Sequence, residues 1–290
     1  MTGPRWPERT GRRPGADVAA IRSQTAAAIA AGRWHISPPP QSILLGGVRC
    51  LHFAAPDPQG TVLHFHGGGY RIGCAEMMTL FAIALVARCG VDVICPDYRL
   101  APDHPFPAAL NDGWSCWTAL RESSALPILL SGDSAGGGLA ATIAAHGLPL
   151  ALVPAGVILL SPWIDLSVTS GCYDRNAATD PVFSRASAKA SAEDYLQGYP
   201  ADAPLACPLS VDLHGFAPSF ISVGTGEVLA DDALRLHAAL LAVATPSTLS
   251  AIDGMEHVAV MRDRTGTGAQ ETFAAIARFI DDRLSPLAIR

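Results

Sequence analysis

Charged residues are scarce in this sequence. Only 16% of its 290 residues are Asp, Glu, Lys or Arg, and the formal net charge is −6. Proteins that bind nucleic acids carry concentrated positive charge, so this balance excludes such a partner. The one basic group, Arg5, Arg9, Arg12 and Arg13, precedes no uninterrupted apolar segment, which argues against a secretion signal and favours a cytoplasmic location.

Long hydrophobic runs and metal-binding motifs are also missing. The longest apolar stretch, 148–164, contains three prolines, which suits a loop entering a buried strand better than a membrane span. The seven cysteines are widely spaced and show no CxxC or Cys/His pattern, so we expect reduced thiols and no metal. The glycine run at 67–69 has neither a GK[ST] ending nor a GxGxxG pattern, so we predict no nucleotide cofactor.

The apolar residues that are present alternate between short runs and helical spacing. This pattern predicts strands near 48–54, 61–66, 91–95, 127–131, 153–160, 219–223 and 248–252, and helices near 16–32, 76–89, 106–121, 135–146, 184–197, 231–243 and 268–284. Strands alternating with helices form a mostly parallel sheet covered on both faces. Prolines and glycines interrupt the pattern between Asp165 and Gly215, so we predict one α/β domain with an inserted excursion.

The strongest local motif is GDSAGG at residues 132–137, between a predicted buried strand and an alanine-rich helix. This is the GxSxG nucleophile elbow in the strand-turn-helix context that it requires. Gly132 and Gly136 have no side chains and let the strand approach the helix, while the strained turn exposes the serine oxygen. Ser134 is therefore the predicted nucleophile.

A serine hydroxyl is a poor nucleophile unless a base takes its proton and an acidic side chain orients that base. Four histidines follow Ser134. His146 and His237 fall within predicted helices and His214 within the excursion, whereas His257 follows the last strand on a loop that could reach the elbow. We predict His257 as the base.

Three carboxylates compete for the role of the acid after the strand at 219–223. Glu227 lies on the loop that leaves the strand. Asp231 and Asp232 stand where the next helix begins, a position that aspartates favour for local reasons. We predict Glu227 as the acid and keep Asp231, and then Asp232, as alternatives.

The stretch LHFHGGGY at 63–70 places three glycines directly after an apolar run. Attack on an ester carbonyl creates an oxyanion, which needs preorganised N–H donors. A glycine loop near the elbow can point two amides inward, joined by the amide of Ala135. Two of the three glycines are therefore expected to be donors. Chain order excludes His66 as the base, so we expect it to brace the loop by hydrogen bonding.

Together these motifs resemble the hormone-sensitive-lipase-like esterases, also called bacterial family IV, of the α/β-hydrolase fold. The resemblance extends from about residue 48 to the end and rests on HGGGY at 66–70, DYRLAPDHPFPAA at 97–109, GDSAGG at 132–137, SPWIDL at 161–166 and GTGEVLADD at 224–232. It implies the same nucleophile and base. It also implies Gly68, Gly69 and Ala135 as the oxyanion donors, which leaves Gly67 to serve the turn. It aligns Glu227 with the catalytic aspartate of many members and Asp231 with a second, non-catalytic one.

The resemblance also implies a helical cap over the active site. Residues 1–45 and part of the 165–212 excursion would form this cap on a catalytic domain of residues 46–290. The arginine-rich first fifteen residues have no counterpart in the family. Many members dimerise through the sheet edge or the last helix, so a homodimer is compatible with the resemblance. The sequence leaves two roles open for four aromatic residues, which either line the substrate pocket or pack in the core. They are Trp34, Trp163, Phe183 and Tyr195.

These residues predict a serine carboxylic ester hydrolase that needs no cofactor and acts on small or short-acyl esters through an acyl-enzyme. A lactone, or an acetyl group on a specialised metabolite, would use the same residues, so these substrates stay open as alternatives, as does acyl transfer to an alcohol. Some plant hormone receptors resemble this family without turnover. They typically lack a triad member, whereas Ser134, Glu227 and His257 are all present here.

Overall fold

The computed structural model describes residues 4–262 and 264–285. Its strands are β1 (Gln41–Leu45), β2 (Val48–Phe53), β3 (Thr61–Phe65), β4 (Asp92–Pro96), β5 (Ile128–Asp133), β6 (Gly156–Leu160), β7 (Ser219–Gly224) and β8 (Ser247–Ile252). Its helices are α1 (Ala16–Ala30), α2 (Thr79–Cys89), α3 (Ala108–Ser123), α4 (Ala135–Gly147), α5 (Cys172–Arg175), α6 (Arg185–Leu196), α7 (Ala230–Ala242) and α8 (Ala269–Leu284).

The eight strands form one sheet in the order β1-β2-β4-β3-β5-β6-β7-β8. β2 pairs antiparallel with β1 and β4, and every later pair of neighbours is parallel. Parallel strands need crossover connections, which helices supply here. The predicted α/β-hydrolase fold with a mostly parallel sheet is thus confirmed.

The core lies on both faces of this sheet. Consecutive residues of the central strands point to opposite faces, as Leu129 and Leu130 do in β5. One face packs against α3, α4 and α7, and the other against α2 and α8. Strands that are apolar on both sides are typical of a covered parallel sheet, and their carboxyl ends are free to carry the loops of a site.

The edge strand β1 was not predicted. It forms a hairpin with β2 through Gly46 and Gly47, whose φ angles are +59° and +85°. Two glycines between apolar runs are a known hairpin signal, because only glycine adopts positive φ at both positions without strain. The sheet therefore begins at Gln41, within the segment of residues 1–45 that was predicted to belong to the cap.

Helix α1 forms where it was predicted, but its apolar residues are not packed into a core. Val18 is its only buried residue, and Ile21 and Ile29 are 41% and 38% exposed. Val18 and Ile21 line a cavity above the sheet instead. The periodic apolar pattern thus marks a wall of a cavity.

No helix in the described part of the chain is long and apolar enough to cross a membrane. All seven cysteines are free. The described residues also contain no cluster of three or more His, Cys, Asp or Glu side chains that could hold a metal ion.

Candidate active site

Ser134 occupies a strained turn between β5 and α4. Its φ and ψ are +52° and −121°, a conformation that is rare for residues with a side chain. A Cβ on Gly132 would lie 2.2 Å from the Gly136 carbonyl oxygen, and one on Gly136 would lie 2.0 Å from that of Phe65. Only glycine permits these approaches, so the two flanking glycines allow the turn that presents Ser134 at the carboxyl end of the sheet.

A continuous hydrogen-bonded chain links Ser134 to His257 and Glu227. His257 Nε2 lies 3.0 Å from Ser134 Oγ, and His257 Nδ1 lies 2.6 Å from Glu227 Oε2. All three side chains are buried. Burial alone would lower the pKa of His257, but the hydrogen bond and negative charge of Glu227 outweigh it, so the pKa is raised above its ordinary value.

Glu227 is held by donors on its other oxygen. Oε1 accepts hydrogen bonds from Ser161 Oγ at 2.8 Å and from the Gly224 amide at 2.5 Å. Ser161 Oγ also accepts a hydrogen bond from the Val258 amide, beside His257. Ser161 was not predicted as a site residue, although the SPWIDL motif that contains it was noted. It joins the loops that carry Glu227 and His257.

The two competing aspartates point elsewhere. Asp231 accepts hydrogen bonds from Ser170 Oγ at 2.5 Å and from Arg175 Nη2 at 2.8 Å. Asp232 Oδ2 accepts the amides of Ile164 and Asp165. Burial raises the pKa of Asp232 to about 7. Both aspartates thus anchor the segment after β6, and the structure brings only Glu227 of the three to His257.

The glycine loop after β3 faces the elbow. The Gly67 amide donates to Asp133 Oδ1 at 2.9 Å, so this amide is engaged in fixing the loop. Gly68 and Gly69 have φ angles of +116° and +61° and line the same cavity as Ser134. Ala135 begins α4, where backbone amides have no intrahelical acceptor. The three predicted oxyanion donors therefore belong to segments that border the nucleophile.

His66 braces the start of this loop. Its Nδ1 donates to the Gly67 carbonyl oxygen at 2.7 Å, and its ring stacks on Tyr98 with centroids 4.2 Å apart. Tyr98 Oη in turn donates to the His66 carbonyl oxygen at 2.6 Å. Burial lowers the pKa of His66, which favours the neutral ring. These contacts agree with the predicted bracing role.

A cavity of about 390 Å³ opens above Ser134 and His257. Helix α1 supplies one wall, and Val182, Phe183 and α6 supply another. Of the four aromatic candidates, Phe183 lines this cavity, and its ring stacks on His257 with centroids 6.1 Å apart. The other three do not line it, since Trp163 and Tyr195 are packed in the core and Trp34 borders a separate cleft.

The arginine-rich N-terminal segment, unassigned from sequence, is tied to α6. Arg9 donates to the carbonyl oxygens of Leu196 at 2.9 Å and Gln197 at 2.6 Å. Arg12 pairs with Asp194 at 2.5 Å. Only the structure reveals these contacts, because the partners are more than 180 residues apart in the chain. The segment thus fastens the carboxyl end of a helix that forms part of the cavity wall.

Comparison with known proteins places this geometry in a family. A family described as alpha/beta hydrolase fold matches residues 62–261. An acetyl-hydrolase of Streptomyces hygroscopicus is 35% identical over 228 residues, which cover 76% of this chain and 75% of that protein. An esterase of Acinetobacter venetianus is 34% identical over 199 residues, which cover 67% of this chain and 65% of that protein, just under two thirds of its length.

A solved structure gives the same result. The crystal structure of an esterase from the bacterial hormone-sensitive lipase family superposes with a TM-score of 0.84 at 30% identity and covers 94% of both chains. The family match includes Ser134, Glu227 and His257. The chain therefore belongs to the bacterial hormone-sensitive-lipase family of the α/β-hydrolase fold and is a carboxylesterase-type hydrolase.

Proposed function

We propose that this enzyme is a serine esterase that cleaves small, short-acyl esters through a covalent acyl-enzyme. The observation that carries the proposal is the hydrogen-bonded chain from Glu227 through His257 to Ser134 at the floor of a cavity. This is the geometry in which a base can activate a serine hydroxyl and a carboxylate can orient the base.

In the first half-reaction, Ser134 Oγ attacks the carbonyl carbon of the ester and its proton passes to His257 Nε2. The Nδ1–H of His257 donates to Glu227, whose negative charge stabilises the imidazolium as it forms. His257 then gives the proton to the leaving alcohol as the C–O bond breaks. Ser134 is left acylated.

The amides of Gly68, Gly69 and Ala135 stabilise the negative charge on the carbonyl oxygen in both half-reactions. Backbone donors held in a buried site need no reorganisation when this charge develops, and each is worth about 3 kcal/mol in comparable enzymes. In the second half-reaction, His257 takes a proton from water, which attacks the acyl carbon. The acid is released and Ser134 recovers its proton.

The cavity supports a small substrate. Its volume of about 390 Å³ is near the lower end of the range for ligand sites. Apolar side chains of α1, Met77 and Met78 line much of it. Among short-acyl substrates, the similarity of this chain to a Streptomyces hygroscopicus protein named acetyl-hydrolase supports acetyl esters. Lactones and other acetylated compounds would react through the same residues.

The test compares wild type with Ser134→Ala on p-nitrophenyl esters from acetate to palmitate. We expect the wild type to prefer acetate and butyrate, and the alanine variant to lose several orders of magnitude in kcat. Mass spectrometry of the wild type during turnover should show one added acyl group. Full activity in the alanine variant would contradict the mechanism, and a preference for palmitate would contradict the assignment of short-acyl substrates.

A further inference from the structure

Ser191 is a buried hydroxyl in the active-site cavity that the mechanism above does not use. It lies on α6, is 1% exposed, and forms part of the cavity wall. Its Oγ has no hydrogen-bond partner among residues 4–262 and 264–285. The Oγ atom is not fully enclosed by protein, unlike buried unpaired atoms such as Trp163 Nε1, so it keeps access to the cavity. The Ser191 hydroxyl is therefore available to a bound ligand.

The hydroxyl lies beside the glycine loop. A Cβ built on Gly69 would lie 2.9 Å from Ser191 Oγ. Gly69, Ser134 and His257 line the same cavity as Ser191. In the proposed mechanism the carbonyl oxygen of the ester lies against this loop, which would place Ser191 Oγ close to the ester group.

The position of Ser191 is fixed by contacts of Asp194 and Tyr195, which lie one turn later on the same face of α6. The Tyr195 ring stacks on Tyr70 with centroids 3.8 Å apart and planes inclined by 2°. Asp194 accepts hydrogen bonds from Arg71 at 3.1 Å and from Arg12 at 2.5 Å. Residues three and four apart share a helix face, so these contacts fix Ser191 against the loop. A donor fixed in this way needs little reorganisation when substrate binds.

Ser187 lies on the same face of α6 as Ser191, but its hydroxyl is hydrogen-bonded within the protein. It also lines the cavity, one turn before Ser191. Its Oγ donates to the Ser184 carbonyl oxygen at 3.0 Å and accepts from the Ser184 amide at 3.0 Å. That hydroxyl is used in capping the helix, whereas the Ser191 hydroxyl lies beside Gly69 and has no protein partner in the described part of the chain.

We propose that Ser191 is a further substrate-contacting residue, whose hydroxyl donates a hydrogen bond to an oxygen of the bound ester group. The proposal rests on the proposed function, because the ester must be seated between Ser134 and the glycine loop. Its consequence is that α6 contributes a polar contact to the reaction as well as a wall.

Phenyl acetate is a suitable probe, since its only oxygen atoms are those of the ester. Ser191→Ala removes the hydroxyl and leaves the space beside Gly69 open, so we expect kcat/KM to fall at least about 10-fold. Ser219→Ala is the matched control. Ser219 is also 1% exposed, but it begins β7 and donates to the Ala217 carbonyl oxygen at 2.9 Å. This control should keep the wild-type kcat/KM.

Ser191→Cys separates hydrogen bonding from packing, because a thiol has similar bulk and donates weakly. It should lose activity as the alanine variant does, with an unfolding temperature near that of the wild type. Wild-type kcat/KM in either Ser191 variant would overturn the proposal. If Ser134→Ala also abolishes activity in that case, the proposed function stands and this inference alone is wrong; activity retained by Ser134→Ala overturns both.

Discussion

Replacing Glu227 by glutamine perturbs three hydrogen bonds in the candidate active site. Glu227 accepts from His257 Nδ1 at 2.6 Å, from Ser161 Oγ at 2.8 Å and from the Gly224 amide at 2.5 Å. Glutamine has one acceptor oxygen in place of two, and its NH₂ group can only donate. Whichever way the new amide turns, its NH₂ group faces at least one buried donor.

Each orientation has a calculable cost. If the amide oxygen faces His257, the Gly224 amide loses its acceptor, which costs about 1–3 kcal/mol of stability. If the NH₂ group faces His257, the imidazole must carry its proton on Nε2 and cannot accept one from Ser134. That tautomer error lowers kcat about 10⁴-fold in serine proteases. We expect a loss of roughly 10³- to 10⁴-fold in kcat.

The assay is kcat and kcat/KM for p-nitrophenyl acetate between about pH 5 and 9. His257 acts as a base only when neutral, and Glu227 raises its pKa, so the acid limb of the wild type lies above that of an ordinary histidine. Removing the charge of Glu227 should move this limb to lower pH.

The matched control for this experiment is Asp231→Asn. Asp231 also accepts several hydrogen bonds, one of them from a charged donor, but its partners are Ser170, Cys172 and Arg175. Its kcat should stay within a few-fold of the wild type. The reasoning is refuted if the asparagine variant loses several orders of magnitude in kcat while the Glu227→Gln variant stays active.

Two further substitutions test the glycine loop and the buried aspartate. Gly68→Ala should lower kcat and stability together, because the φ of Gly68 is +116° and a Cβ there would lie 2.2 Å from the Ile72 carbonyl oxygen. The control is Gly90→Ala, where φ is +61° and no atom lies within 4 Å of the added Cβ; it should keep the wild-type kcat. Asp232→Asn should flatten the pH dependence of stability. The folded carboxyl, with its pKa raised to about 7, keeps its proton while the unfolded one ionises, so stability is lost as pH rises from about 4 to 7. Urea unfolding at about pH 5 and 8 measures the free energy of unfolding at each pH. The same difference between the two pH values in the variant as in the wild type would contradict the prediction.

Local signals predicted most of the framework. The strand, turn and helix around Ser134 follow from a buried apolar run, two glycines and an alanine-rich segment, all within about twenty residues. The strand β1 was missed because it is only five residues long and directly follows the proline run at 38–40, although Gly46 and Gly47 signal the hairpin.

Helix α1 shows where periodicity is insufficient. Its apolar spacing predicted the helix, but the same spacing is expected of a core face and of a cavity wall. Whether Ile21 packs in a core or lines a cavity depends on the surface that faces it. That surface comes from the glycine loop and the 165–212 excursion. No pattern within the helix distinguishes these cases.

The sequence by itself indicated the strands from β2 to β8 and the longer helices, the nucleophile motif and the short set of candidate bases, acids and oxyanion donors. These follow from neighbours along the chain, whose spacing controls local conformation. Only the tertiary structure decided which carboxylate meets His257, that Ser161 bonds to that carboxylate, and that Ser191 lines the cavity. Ser134 and His257 are 123 residues apart and Glu227 and His257 are 30 apart, so their distances depend on how separate loops pack at the carboxyl edge of the sheet.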